Sequence, residues 1–164
     1  MQLSARGLGE ITVAIGFGVL PVLGSAWLQT GFVDLGAALL CLPVSAWAAA
    51  ILVINEVPDM AADARAGKRT LVVRWGVSGA RWIYGGLVAI SLAASAAAIL
   101  THALPLWYAL PALIFAGLGM RAARGMSSEP RARPRLKRSI ELTLAIHALG
   151  CVTMVAAILL NRIG

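Results

Sequence analysis

Charge is what this sequence has least of. Asp, Glu, Lys and Arg make up 13% of its 164 residues, about half the share of a typical soluble domain. Hydrophobic residues make up 60%, which excludes an ordinary water-soluble globule and places the chain among membrane proteins. Acidic groups are scarcer than basic ones, seven against 14, leaving a net charge of +7. That excess is not a nucleic-acid footprint, and no nucleic-acid partner is expected. The basic residues fall in short segments between apolar runs, where they report membrane topology. Cysteine is nearly absent: Cys41 and Cys151 both lie within apolar stretches. Two such residues build no disulfide framework and lack metal-ligand spacing; they read as small packing or lipid-facing groups. The apolar run that follows Arg6 is too long for the core of a signal peptide, and further apolar segments come after it, so it reads as a span.

Crossing the hydrocarbon core takes about 20 mainly apolar residues. Five segments have that character: 11–28, 35–54, 82–100, 104–120 and 140–160. The expected fold is therefore all-α, with five transmembrane helices. The links around Asp34 and His102 carry no Lys or Arg. The link 55–81 carries Arg65, Lys68, Arg69, Arg74 and Arg81, and the one after Met120 is richer still in Arg. Basic links stay in the cytoplasm. That rule predicts a multi-pass protein of the cell membrane with the amino terminus and the Asp59 loop inside and the carboxyl terminus outside. Gly, Ala and Ser recur within the spans, as in Gly16, Gly18 and Gly24, and let helix backbones approach closely. Trp107 and Tyr108 fit an outer aromatic belt, and Trp75, Trp82 and Tyr84 an inner one. The segment Glu129–Lys137 reads as a flexible cytoplasmic loop that fixes orientation, with contact to anionic lipid head groups as a compatible second role.

One link differs from mere interfacial solvation. It reads NEVPDMAADARAGKRTLVVRWG from Asn55 to Gly76. Asn55, Asp59 and Asp63 are four apart, so a helix prolonging the second span stacks them on one face. Pro58 is expected to kink that helix end. Two carboxylates one turn apart repel unless a cation lies between them. Mg²⁺ fits, because it takes oxygen ligands and bridges one or two carboxylates to substrate phosphates. Arg65, Lys68 and Arg69 follow at once, and such cations grip phosphate oxygens. Spacing alone leaves two readings open, a metal–diphosphate site and ordinary charged residues at a membrane surface.

The string closely resembles the second aspartate motif of UbiA-superfamily prenyltransferases, N-x3-D-x3-D-x3-G-K-R-T-L. Its ending is most similar to the branch that prenylates 1,4-dihydroxy-2-naphthoate in menaquinone synthesis. The opening RGLGE, Arg6 to Glu10, and the LQTG at Leu28 to Gly31 resemble the fifth span of that branch. The resemblance implies a nine-helix fold of which this chain carries the carboxyl-terminal half, helices five to nine, over residues 1–164. It implies a prenyltransferase that moves a polyprenyl group from its diphosphate to an aromatic acceptor. Asp59 and Asp63 then hold Mg²⁺, and Asn55, Arg65, Lys68 and Arg69 bind the diphosphate. The family's first aspartate motif, N-D-x-x-D-x-x-x-D, does not occur here, so the chain is expected to need a missing amino-terminal half for activity. A non-catalytic membrane module that binds isoprenoid or assembles with a partner is the competing reading. CDP-alcohol phosphotransferases, a second membrane family with helically spaced aspartates, require an upstream Asp-Gly and Ala-Arg that the chain lacks. A small transporter is disfavoured by the nearly uncharged span cores.

Four further polar residues complete the inventory. Glu10, at the cytoplasmic start of the first span, is either wet or functional. His147 reads as a neutral, hydrogen-bonded packing residue, and His102 and Asp34 as outer-loop solvation.

Overall fold

The computed structural model describes residues 7–163, and Arg6 lies outside them. Among the described residues every regular element is helical. Helix α1, Gly9–Ala14, passes through a π-helical turn, Ile15–Val19, into α2, Leu20–Thr30. Then come α3, Leu35–Arg65; α4, Leu71–Leu100; α5, Ala109–Arg124; and α6, Arg133–Ile163. Treating α1 and α2 as one span, five helices are long and apolar enough to cross a membrane.

Local chemistry explains the joints. Pro21 has no N–H to give the Phe17 carbonyl, which disturbs the hydrogen-bond ladder where the π turn ends. Gly31, at φ 78°, closes α2 by donating its N–H to the Trp27 carbonyl at 2.8 Å. Asp34 is more than a solvated loop residue. Its carboxylate accepts the Ala37 N–H at 2.7 Å and caps α3. Helix α3 runs through Pro43 and Pro58 without ending at either.

Two boundaries move outward from the hydropathy pattern. The third span starts at Leu71, not at residue 82, because Thr70 caps it by accepting the Val73 N–H at 3.2 Å. Gly76, at φ 66° and ψ −171°, interrupts it and sets off the turn Leu71–Trp75. Arg81 stays within this helix by donating to the Met126 carbonyl. The long link 55–81 therefore shrinks to the turn 66–70. The basic segment 129–137 is not an extended loop either. It forms a 3₁₀ turn, Pro130–Ala132, and the start of α6 at Arg133, with Pro134 in the first turn where a missing N–H costs nothing.

Helix α3 is the axis of the bundle. Over its most apolar stretch 56% of residues are buried, against 6% for the first span. One core layer joins Val53, Ile54 and Val57 to Val72 and Tyr84 of α4, Met126 and Leu136. A second, at the opposite end, joins Trp47 to Ala98, Leu104, Tyr108 and Ile146. The Trp47 ring stands edge-on to Phe115, with centroids 6.1 Å apart, and lies tight against Gly150. Two aromatic-belt expectations fail here. Tyr84 and Tyr108 are both buried rather than interfacial. Tyr84 donates to Thr143 Oγ1 at 2.8 Å, since the Thr143 proton is committed to the Ser139 carbonyl. Trp75, Trp82 and Trp107 are exposed. His147 is half-buried, and its Nδ1 has no hydrogen-bond partner, contrary to the expected bond.

Candidate functional site

The last three turns of α3 carry the motif. Because the helix is continuous to Arg65, Asn55, Asp59 and Asp63 lie on one face. Asn55 and Asp59 are exposed and Asp63 is half-buried. The chain then reverses in a tight turn. Lys68 N–H donates to the Asp63 carbonyl at 3.0 Å, and Ala66 N–H to the Ala62 carbonyl at 3.0 Å. Gly67, at φ 73°, supplies the left-handed residue that this turn needs. The reversal swings Lys68 back over the acidic face, where its ammonium donates to Asp63 Oδ1 at 2.7 Å. That hydrogen bond and the carboxylate's charge hold the Lys68 ammonium above the usual lysine range. The lysine side chain is 47% exposed, so the pair adds little to stability; its consequence is orientation. Arg65 and Arg69 are exposed at the same turn and make no ion pair among the described residues.

The geometry thus brings Asn55, Asp59, Asp63 and Lys68 together and leaves Arg65 and Arg69 at the rim. Among the described residues no group of three or more His, Cys, Asp and Glu side chains could hold a metal. Asp59 and Asp63 nonetheless suit a hard divalent cation whose remaining ligands are phosphate oxygens and water.

Sequence reading missed the other acid of the motif. Glu56, three residues before Asp59 and seven before Asp63, is 8% exposed and lies within electrostatic reach of Asp63 and Lys68. Glu10 of α1 is 5% exposed and lies within electrostatic reach of it. Each has one carboxylate oxygen, Glu10 Oε1 and Glu56 Oε2, without a hydrogen-bond partner. Glu10 is therefore not a wet span end. The segment before α1 abuts the site as well: a Cβ added to Gly7 would stand 3.2 Å from the Arg69 carbonyl. The available signal was its spacing, three residues before Asp59 and seven before Asp63, which puts it on their side of the helix.

A helical membrane bundle with paired carboxylates and cations at one end is the class these features define. Residues 1–145 match the model of the UbiA prenyltransferase family, and the chain belongs to that family. It is 37% identical over 150 residues to the 1,4-dihydroxy-2-naphthoate octaprenyltransferase of Escherichia coli (strain K12), covering 88% of this chain and 48% of that protein. The enzyme of the same name from Mycobacterium tuberculosis (strain ATCC 25618 / H37Rv) is 36% identical over 119 residues, covering 71% of this chain and 39% of that protein. The UbiA prenyltransferase domain-containing protein 1 of Dictyostelium discoideum is 33% identical over 81 residues, 49% of this chain and 24% of that protein. The matched stretches thus cover less than half of each of these relatives. No solved structure matches it.

Proposed function

We propose that this chain is the carboxyl-terminal half of a Mg²⁺-dependent prenyltransferase that moves a polyprenyl group from its diphosphate to an aromatic acceptor. By similarity to its relatives the acceptor is 1,4-dihydroxy-2-naphthoate, which places the reaction in menaquinone synthesis. The observation that carries this reading is the single helical face of Asn55, Asp59 and Asp63 with Lys68 folded back onto it.

In this reading Asp59 and Asp63 hold the cation, with Asn55 beside them, and Lys68, Arg69 and Arg65 receive the diphosphate. Bound Mg²⁺ supplies neutralisation of the departing diphosphate. The chain's own cations do the rest of that electrostatic work, since Lys68 is already aligned and needs no reorganisation as charge develops. The allylic carbon–oxygen bond breaks, its electron pair leaves with the diphosphate, and the electron-rich ring closes a carbon–carbon bond on the allylic carbon. The ring then sheds the group on the attacked carbon, a proton to water or a carboxylate as CO2, and regains its aromaticity. An apolar surface between helices takes the isoprenoid tail. The basic turns 66–70 and 125–132 face the cytoplasm, which puts the carboxyl terminus outside.

Two carboxylates make a thin ligand set for a diphosphate-bound metal, so the reading includes an amino-terminal half that supplies the rest. The test is prenyl transfer in membranes containing this chain, alone and together with a helix one-to-four half from a related enzyme. The assay uses Mg²⁺, labelled polyprenyl diphosphate and 1,4-dihydroxy-2-naphthoate. Activity is expected only in the paired sample. Activity of the chain alone overturns the need for a second half. Silence in both, with the halves shown to associate, leaves a non-catalytic isoprenoid-binding module as the better account.

A further inference from the structure

The strongest charged feature outside the acidic face is a groove of about 990 Å³ between α5 and α6. Arg121 and Arg124 come to it from α5, Arg131 from the turn, and Arg135 and Arg138 from α6. All five are exposed, and none makes an ion pair with a described residue. The one acid on the lining, Glu141, is turned to Lys137, 3.8 Å away. The positive-inside rule asks only for basic residues in this link; it does not ask that five guanidinium groups converge on one concavity.

The rest of the lining says what fits. Leu118, Leu142 and Ala145 form part of the same groove. Leu118 lies six residues before Arg124 and Ala145 seven after Arg138, displacements of roughly 9–10 Å along their helices, away from the basic end. The groove is therefore cationic where the membrane surface lies and apolar toward the hydrocarbon. We infer that it is a binding site for an anionic phospholipid, with the head-group phosphate among Arg121, Arg124, Arg135 and Arg138 and an acyl chain along Leu118 and Leu142. Arginine suits the role, since its planar fork takes two phosphate oxygens at once. The site does not depend on the acidic face of α3 or on the proposed transfer reaction.

The test uses the purified chain in nanodiscs of phosphatidylcholine doped with phosphatidylglycerol, with native mass spectrometry counting the lipids each chain retains. A preference for phosphatidylglycerol is expected. It should fall about ten-fold or more in R124Q/R138Q, in line with the ~1 kcal/mol per basic residue near an anionic surface. It should change less than two-fold in R74Q/R133Q, which removes the same charge from residues outside the groove. R124K/R138K should restore part of the preference and, with an unchanged helical circular-dichroism spectrum, guards against misfolding. Asp59→Ala should leave it intact whatever becomes of prenyl transfer. Equal losses in the two charge-matched double variants overturn the site in favour of diffuse electrostatics. No lipid preference in the parent chain, or binding of inorganic phosphate with no discrimination between the two lipids, overturns it too.

Discussion

Two basic turns sit at the same end of this bundle, and they are built differently. The turn 66–70 is five residues long and its lysine is folded onto a carboxylate at 2.7 Å. The stretch 125–132 and the helix start after it gather arginines that meet no carboxylate among the described residues. Hydropathy and charge counting see both as the same thing, a cytoplasmic anchor. What separates them is the acids on the preceding helix. In the proposed reading Asp59 and Asp63 make one turn a place for a metal and a phosphate together, whereas the other offers charge for phosphate alone.

Substitutions on the acidic face should break this contrast most severely. Asp59→Ala or Asp63→Ala in the paired sample should lower prenyl transfer by at least about 100-fold, as measured by labelled product, because each removes a carboxylate that the proposed cation site needs. Lys68→Ala should cost on the order of ten- to 100-fold, with Lys68→Arg recovering part of it. The same assay on R133Q/K137Q should change less than about three-fold, since screened surface charges away from the acidic face act weakly. A loss in R133Q/K137Q as large as that in the aspartate variants would erase the distinction between the turns.

Smaller effects probe the frame that holds the acidic face. Gly150→Val forces a side chain into the Trp47 ring and should destabilise the bundle by roughly 1–3 kcal/mol, read as a lowered unfolding midpoint in detergent. Tyr84→Phe leaves the Thr143 hydroxyl with its bond to Ser139 but without its donor. It should cost about 1 kcal/mol in the same measurement.

The five spans and the acidic face were legible because each rests on a strong local pattern, long apolar runs in one case and a four-residue spacing in the other. The ends of the spans were not. Arg74 and Arg81 depress the hydropathy before Trp82, yet the helix begins at the Thr70 cap, and Arg81 is accommodated by a carbonyl 45 residues away. Tyr84 and Tyr108 looked interfacial by type and position along the chain. A partner from a distant helix, Thr143, and the packing beneath Trp47's layer decided otherwise. Glu10 and Glu56 make the same point for polar groups. They are distant in sequence, and only the packing of α1 on α3 makes them a buried neighbouring pair.

The central claim is that Asp59 and Asp63 bind a divalent cation together with a diphosphate. Mn²⁺ reports this directly, because its electron paramagnetic resonance signal broadens on binding. With the purified chain and inorganic diphosphate, the account predicts bound Mn²⁺ that depends on diphosphate and is lost in D59N/D63N. Mn²⁺–diphosphate binding that survives the double substitution unchanged would contradict it.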